Sequence, residues 1–278
     1  MIRNILSISL LVILFAACGS KSGDTQQTTS SDSTDVEAVA DTMAAASEEE
    51  SDIIPMAADE LFDDFFFNFA ANKKLQKSRI KFPLSEVDGQ NIKQISASEW
   101  KMDYFFLRQD YYTLLFDNEQ QMEDVKNTTV DHAIVEKIFL SAGKVKQYVF
   151  HRTKGAWMLQ MIVNLPVEQS TNASFLQFYQ RFATDEDYQL ESLAEEVRFI
   201  GPDPDDDFSM MEGIITPDTW PAFAPKLPKK MIYNIIYGVP QKVSAQKIFV
   251  LRGIANGMEM DLFFQHRDGK WRLTKMTT

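Results

Sequence analysis

The stretch FHRTKGAWMLQMI at residues 150–162 decides the fold, because it returns near the C-terminus as FQHRDGKWRLTKM at residues 264–276. When the two stretches are aligned without gaps, a Phe, a Gly, a Trp and a Leu are identical. The Asp268-Gly269 pair, and more weakly the Lys154-Gly155 pair, indicate tight turns between alternating apolar residues. The chain therefore contains two copies of one β-hairpin.

Four further motifs recur in the same order and extend the duplication beyond the hairpin. They are an FxxFxxxFA pattern at 62–70 and 175–183, Ile80 to Phe82 with Val197 to Phe199, residues 95–100 with 215–220, and Lys137 to Phe139 with Lys247 to Phe249. Loops of different length between these motifs are expected in copies of one domain. We therefore predict two tandem domains, at residues 56–167 and 168–278.

Each copy opens with an aromatic stripe whose i, i+3, i+4 spacing predicts an amphipathic helix. At this spacing the stripe is expected to be core and not a cofactor site. Segments 133–141, 144–153 and 157–164 read as strands joined by tight turns, hence antiparallel neighbours. The pattern predicts an α+β fold in which a curved antiparallel sheet wraps around a helix.

The last strand of the first copy is apolar on both faces. Trp157, Leu159 and Met161 would alternate with Met158 and Ile162 along a regular strand. We therefore expect the outer face of this sheet to be covered, most simply by the second domain.

A helix, a Trp-containing turn and a meander that closes on GxW resemble the cone-shaped fold of the nuclear-transport-factor-2-like superfamily. The segment QKSRIKFPL at 76–84, with the aromatic helix before it and Trp100 after it, resembles a family of uncharacterised lipoproteins from gut Bacteroidetes. The resemblance covers most of residues 57–278 and implies two tandem cones. The superfamily contains isomerases and dehydratases that use a carboxylate or histidine inside the cone, and also members that only bind a ligand. The resemblance assigns no catalytic residue to this chain.

Residues 1–18 have the features of a bacterial lipoprotein signal peptide. Arg3 supplies a positive charge, and the apolar run 5–17 is shorter than the ~20 residues of a membrane-spanning helix. The run ends in LFAACG, which resembles a lipobox and predicts lipidation of Cys18, the one cysteine of the chain. Because Gly19 is not the aspartate associated with inner-membrane retention, we expect an outer-membrane lipoprotein of the cell envelope, facing the periplasm or the surface.

Composition restricts the partners. Residues 19–55 are mainly Ser, Thr, Asp, Ala and Glu, which predicts a disordered acidic linker. A formal net charge of −12 excludes nucleic acid as the partner class, since phosphate contacts need a basic surface. The expected partners are the membrane, through the lipid anchor, and an unknown small molecule, peptide or envelope protein.

The sequence offers no catalytic, cofactor or metal-binding motif. Residues 203–207 begin like a calcium loop, but Phe208 stands where the loop needs Gly and Ile214 where it needs Glu. There is no GxSxG elbow and no glycine-rich phosphate loop. The three histidines, His132, His151 and His266, lie apart in the sequence and form no helical pair that could chelate zinc. His151 and His266 are one position out of step in the repeat, which argues against a shared role, and all three are interpreted as polar strand-end residues.

The remaining candidate is a pocket in the cone, since aromatic side chains with a hydroxyl or an N–H suit the mouth of a binding site. Core and rim packing is the alternative for each of the residues proposed to line it: Trp100, Tyr104, Tyr111, Tyr112, Trp220 and Tyr233. The favoured function is a non-enzymatic module that binds its ligand in a cone or at the groove between the domains. The alternatives are an isomerase- or hydrolase-type enzyme working in one cone, and a structural or assembly factor with filled cones.

Overall fold

The two halves of the described chain share one succession of helices and strands, apart from one short helix in the first half. The computed structural model describes residues 59–238 and 244–278; the signal peptide, Cys18 and the linker predicted above lie outside this part. The first half contains α1 Phe62–Ala71, α2 Lys73–Ser78, β1 Ile80–Asp88, β2 Asn91–Ile95, β3 Tyr111–Phe116, α3 Glu119–Met122, β4 His132–Phe139, β5 Lys144–Thr153 and β6 Ala156–Pro166. The second half contains α4 Ala173–Phe182, α5 Glu186–Glu191, β7 Leu193–Asp203, β8 Asp206–Ile215, β9 Met231–Tyr237, β10 Gln246–Gly253, β11 Glu259–Arg267 and β12 Lys270–Thr277.

The aromatic stripes form the buried faces of α1 and α4, as their spacing predicts. The stripe of α1 packs on the rings of Phe150 and Trp157. The stripe of α4 packs in the same way on Phe264 and Trp271. Burial of each Phe contributes about 1.5–3 kcal/mol, so these contacts fix the helix inside each curved sheet.

Both hairpins have the predicted tight turn. Lys154 and Gly155 have φ angles of 52° and 83°, and Asp268 and Gly269 have φ angles of 50° and 74°. Two successive residues with positive φ are the signature of the type I′ turn, which suits the twist of the flanking strands. The duplicated hairpin is therefore confirmed.

A β-bulge in each hairpin changes which side chains face the core. The pairing of β5 with β6 shifts between Val149 and Phe150, so that Gln160 is the extra residue. As a result Ile162 faces the cone interior and is 1% exposed, whereas Met161 lies on the outer face and is 36% exposed. The predicted alternation of inward- and outward-facing side chains was wrong beyond Gln160, because a bulge reverses it. The prediction that the outer face is covered was based on this alternation and is therefore no longer supported.

The two sheets exchange one strand. The first has the order β2-β1-β6-β5-β4-β9 and the second β3-β10-β11-β12-β7-β8, so each sheet ends on a strand from the other half. The exchanged strands touch at Thr113, whose hydroxyl donates to the Tyr233 carbonyl at 2.6 Å and accepts from the Tyr233 N–H at 2.9 Å. The predicted boundary after residue 167 falls in the 3₁₀ turn Val167–Gln169 between β6 and α4.

The strand registers correct one of the five repeat motifs. β1 is parallel to β6, with Ile80 opposite Leu159, and β7 is parallel to β12, with Leu193 opposite Leu273. Because Leu159 and Leu273 occupy the same place in the hairpins, Ile80 corresponds to Leu193. The alignment of Ile80 with Val197 was wrong by four residues, because short apolar motifs match in more than one register.

A second motif was misaligned for the same reason. Ala133 lies opposite Phe150, and Lys247 lies opposite Phe264. Lys247 therefore corresponds to Ala133 and not to Lys137. The helix motif and the Trp-containing turn keep the predicted equivalence.

Candidate functional site

Both tryptophans of the predicted pocket are held by a glutamine. Trp100 Nε1 donates to Gln76 Oε1 at 2.9 Å, and Trp220 Nε1 donates to Gln189 Oε1 at 2.8 Å. The side-chain amide of Gln76 donates in turn to the Phe69 carbonyl in the last turn of α1. The amide of Gln189 donates in the same way to the equivalent Phe182 carbonyl at the end of α4. The tryptophans therefore fasten the loop after the second strand to the helices. Trp220 also borders a cavity of about 460 Å³ beside α5.

The four tyrosines of the predicted pocket lie in three places. Tyr112 and Tyr233 are buried in the first cone, where their ring centroids lie 4.5 and 5.4 Å from that of Phe106. Tyr111 packs against the core of the second cone. Tyr104 is partly exposed, with the Arg108 guanidinium 3.4 Å from its ring centroid. The six aromatic residues are thus distributed over both halves and do not surround one common cavity.

The interior of the first cone is packed by its own chain. Phe105, in the segment between β2 and β3, lies 4.8 Å from both Phe66 and Tyr148, measured between ring centroids. Phe105 has a φ of 49°, a conformation supported by its N–H, which donates to Asp103 Oδ1 at 2.8 Å. This segment places two phenylalanines, Phe105 and Phe106, in the core.

Beside this core lies the first-cone cluster, which we define as Asp103, Lys137 and Tyr148. Lys137 Nζ donates to both carboxylate oxygens of Asp103 at 2.6 Å, and the Tyr148 hydroxyl donates to Oδ2 at 2.8 Å. Burial, followed by the Asp103 charge, raises the pKa of Tyr148, which keeps its hydroxyl protonated as a donor. The Lys137 side chain is 14% exposed and that of Asp103 is 22% exposed, so the ion pair is only partly accessible.

The corresponding positions of the second cone are apolar. By register, Lys137 and Tyr148 correspond to Leu251 and Leu262, both of which are buried. Asp103 lies three residues after Trp100, and Phe223 lies three residues after Trp220. The second cone therefore has no ion pair at these positions, and Phe223 packs on Phe199 with a centroid distance of 5.8 Å.

A groove with mixed polar and apolar walls lies between the halves. This interdomain groove has a volume of about 710 Å³ and is lined by residues 118–120 of the first half and by β7, β10, β11 and β12 of the second. Its cationic side chains are Arg198, Lys247 and Lys275, and Phe263 supplies an aromatic surface. The Lys275 ammonium lies 4.1 Å from the centre of the Phe263 ring.

The three cations of the groove differ in how strongly they are held. Lys247 is buried, and its ammonium donates to the carboxylate of Asp117 and to the side-chain oxygen of Asn172. Lys275 reaches Glu119 at 3.3 Å, and Arg198 reaches Glu212 at 2.8 Å. The carboxylates of Glu119 and Glu212 are each more than half exposed.

Two of the histidines, which lie apart in the sequence, are neighbours in the fold. His132 and His151 are Cα partners on β4 and β5, and their ring centroids are 4.4 Å apart. His266 lies elsewhere and packs on Trp271 with a centroid distance of 4.9 Å. His132 is the first residue of β4 and His151 lies near the end of β5, as strand-end residues are expected to. The expectation that the histidines lie apart was wrong for this pair, because strand pairing joins residues that are distant in sequence.

The first-cone cluster was also missed by sequence reasoning. A signal was present in AIVEKIF at 133–139, where Glu136 and Lys137 interrupt an apolar strand. Lys137 belongs to the cluster, and Glu136 is fully buried between the amides of Gln147 and Asn234. Burial raises the pKa of the Glu136 carboxyl, although both amides favour its ionised form. The partners of these two side chains lie elsewhere in the sequence, on β5, on β9 and in the segment between β2 and β3, and could not be assigned from spacing.

The two curved sheets, each wrapped around a helix, define a protein of the nuclear-transport-factor-2-like class. A crystal structure of an NTF2-like protein from Bacteroides fragilis is similar to this chain, with 42% sequence identity and a TM-score of 0.74, over 81% of this chain and 98% of that one. The α+β fold predicted from the duplication is thereby confirmed.

The chain belongs to the DUF4348 family, a domain of unknown function whose model matches residues 40–278. No curated protein matches it. Within residues 59–238 and 244–278, no helix is both long enough and apolar enough to cross a membrane.

Proposed function

We propose that the protein is a non-enzymatic binding module of the bacterial cell envelope, anchored to the outer membrane through a lipid on Cys18. Its ligand occupies the interdomain groove and presents carboxylate groups next to an apolar group, as an acidic peptide does. The lipobox-like sequence before Cys18 supports the anchor, and the similar protein from Bacteroides fragilis supports an origin among Bacteroidetes.

The observation that carries the proposal is the arrangement of Lys275, Arg198 and Phe263 along the groove. Exposed ion pairs contribute about 0–1 kcal/mol, so a ligand carboxylate can displace Glu119 or Glu212 at little cost. Lys275 and the Phe263 ring then offer a charged and an apolar contact side by side, which is the combination that binding sites use to orient a ligand.

The first-cone cluster is less suited to the role of a binding or catalytic centre. The Asp103 carboxylate already accepts from Lys137 and Tyr148. These donors occupy lone pairs of the carboxylate, whereas a general base needs a free lone pair beside its substrate. Phe105 fills the space next to the cluster.

Binding in the groove can be tested with a hexaglutamate peptide and the purified full-length lipoprotein in non-ionic detergent. The first half provides matched replacements, since by register Ser85 stands at the position of Arg198 and Met161 at that of Lys275. We expect the variant Arg198→Ser/Lys275→Met to bind the peptide at least about tenfold more weakly in calorimetric titration, as the loss of two charge-assisted contacts requires.

Removal of two exposed lysines outside the groove, Lys77→Ser/Lys93→Met, serves as the charge-matched control and should leave the affinity within about twofold, because distant exposed charges are screened. An equal loss in both double variants would show that only net charge matters and would contradict the groove as the site.

The anchor has a separate test. Replacement of Cys18 by Ala should move the protein from the membrane fraction to the soluble fraction of its own host, because the proposed lipid is the membrane attachment. Retention of the variant in the membrane fraction would exclude lipidation at this position as the anchor.

A structural or assembly role is the second candidate, and the packed interior of the first cone favours it. If native mass spectrometry of the protein from its own host detects a partner protein and no small ligand, the surface and not a cavity is the functional part.

A further inference from the structure

The cross-strand pair formed by His132 and His151 brings two imidazole nitrogens to the separation of two ligands of one metal ion. His132 Nδ1 lies 3.2 Å from His151 Nε2 and 3.4 Å from His151 Nδ1. Zinc–imidazole bonds of 2.0–2.1 Å in a tetrahedral site place two ligand nitrogens about 3.3 Å apart. The two rings therefore present nitrogens at a separation that one bound ion requires.

The position of the pair allows an ion to enter. His151 is exposed and His132 is partly buried, so the rings are supported by the sheet on one side and open to solvent on the other. The strands β4 and β5 hold both Cα atoms in direct register, which reduces the ordering entropy that a flexible pair would lose on binding. The Asp131 carboxylate next to His132 adds a favourable charge for a cation.

Other ligands would come from outside the pair. Among residues 59–238 and 244–278, no group of three or more His, Cys, Asp or Glu side chains is placed to hold a metal ion. A site made by two imidazoles leaves coordination positions open to water or to a donor group of a bound molecule. Such a site favours borderline ions that accept imidazole, and its affinity should be higher for copper(II) than for nickel(II) or zinc.

The second half shows that the scaffold does not need histidines here. Gln246 and Gln265 are Cα partners on β10 and β11 at the positions equivalent to the pair. A glutamine pair fills the same place in the sheet without a nitrogen lone pair for a metal. The two halves therefore share the strand pairing at this place and differ only in the side chains that it carries.

We propose that His132 and His151 together bind one divalent transition-metal ion per chain, at a site that the second half lacks. The interdomain groove is formed by other residues, so this site stands independently of the function proposed for the groove.

The test is calorimetric titration of the chelator-treated full-length lipoprotein, in detergent, with copper(II), nickel(II) and zinc chloride. The variant His132→Gln/His151→Gln reproduces the pair of the second half and should bind each ion at least about tenfold more weakly, since both ligands are removed. His266→Gln, which removes the third histidine, should bind like the wild type. Each single variant, His132→Gln or His151→Gln, should lose most of the affinity.

Far-UV circular dichroism of the double variant, compared with the wild type, verifies that it is folded. An unchanged isotherm for a folded double variant would overturn the proposal. An equal loss of affinity in His266→Gln would also overturn it, because the ions would then bind to histidines irrespective of their pairing.

Discussion

The two cones have the same scaffold but different side chains where the helix meets the sheet. The first cone carries the ion pair of Asp103 and Lys137 with the Tyr148 hydroxyl, whereas the second carries Leu251 and Leu262 at the positions of the lysine and the tyrosine. The same hairpin and the same Gln–Trp hydrogen bond support both. Packing of the aromatic stripe thus determines the architecture, and the residues around it are free to diverge.

The largest expected effect concerns the cores that the halves share. Trp157→Ala and Trp271→Ala should each destabilise the protein by about 3–5 kcal/mol, because each removes a buried indole that contacts the aromatic stripe. Since each sheet contains a strand from the other half, both variants should unfold in one transition, like the wild type. Urea denaturation followed by circular dichroism and fluorescence checks this, and two separate transitions would contradict the coupling of the cones.

The Gln–Trp anchors should differ in strength. Gln76 makes four hydrogen bonds, one to the Phe69 carbonyl, one from Trp100 and two with the main chain of Asp103, whereas Gln189 makes two. We expect Gln76→Leu to lower the free energy of unfolding by about 3 kcal/mol and Gln189→Leu by about 1–2 kcal/mol, because unsatisfied groups remain. Equal losses in urea denaturation would show that the Asp103 contacts contribute nothing.

The ion pair can be removed in two steps, the first of which introduces the leucine of the second cone. Lys137→Leu should cost about 2 kcal/mol, since it leaves the half-buried Asp103 carboxylate without its cation. The double variant Lys137→Leu/Asp103→Asn should recover more than half of this loss, because the unpaired charge is gone. If the single and the double variant have the same urea midpoint, the pairing of Lys137 with Asp103 does not stabilise the first cone.

The smallest effect depends on pH and lies in the second sheet. Burial, and then the neighbouring Glu259 charge, raises the pKa of Asp261 from 3.8 to about 6; the equivalent residue of the first sheet is Gln147. Because the folded state holds the proton more tightly, this contribution to stability is fully present below pH 3.8 and is lost as the pH rises through about 6.

Asp261→Asn, which cannot ionise, should therefore raise the melting temperature at pH 7.5 by about 2–4 °C, equivalent to about 1 kcal/mol, and should have little effect at pH 4. Thermal unfolding at both pH values measures the difference. A shift of the same size at pH 4 would indicate a packing effect and not a titration.

The local features of the fold were predictable and the sheet order was not. Spacing identified the helices and Gly-containing turns identified the hairpins, because both depend on residues close in sequence. The exchange of β3 and β9 could not be predicted, since each strand is apolar and fits either sheet. The bulge at Gln160 was missed because it leaves the composition of the strand unchanged.

In the candidate sites too, local features were predictable and contacts between distant parts of the chain were not. Trp100 and Trp220 were recognised as equivalent, but their partner glutamines were not, because Gln76 and Gln189 stand on a helix with no apolar periodicity to mark them. The groove depends on residues 118–120 at the start of α3, which reach the second sheet only because β3 is exchanged.

The sequence by itself determined that this protein is a duplication, that each copy has an aromatic helix and a type I′ hairpin, and that the fold is α+β. Only the tertiary structure decided which strands complete each cone, that Asp103 meets Lys137, and that His132 faces His151. The physical reason is that turns and helices are set by contacts within a few residues, whereas strand pairing and ion pairing select among partners far apart in the chain.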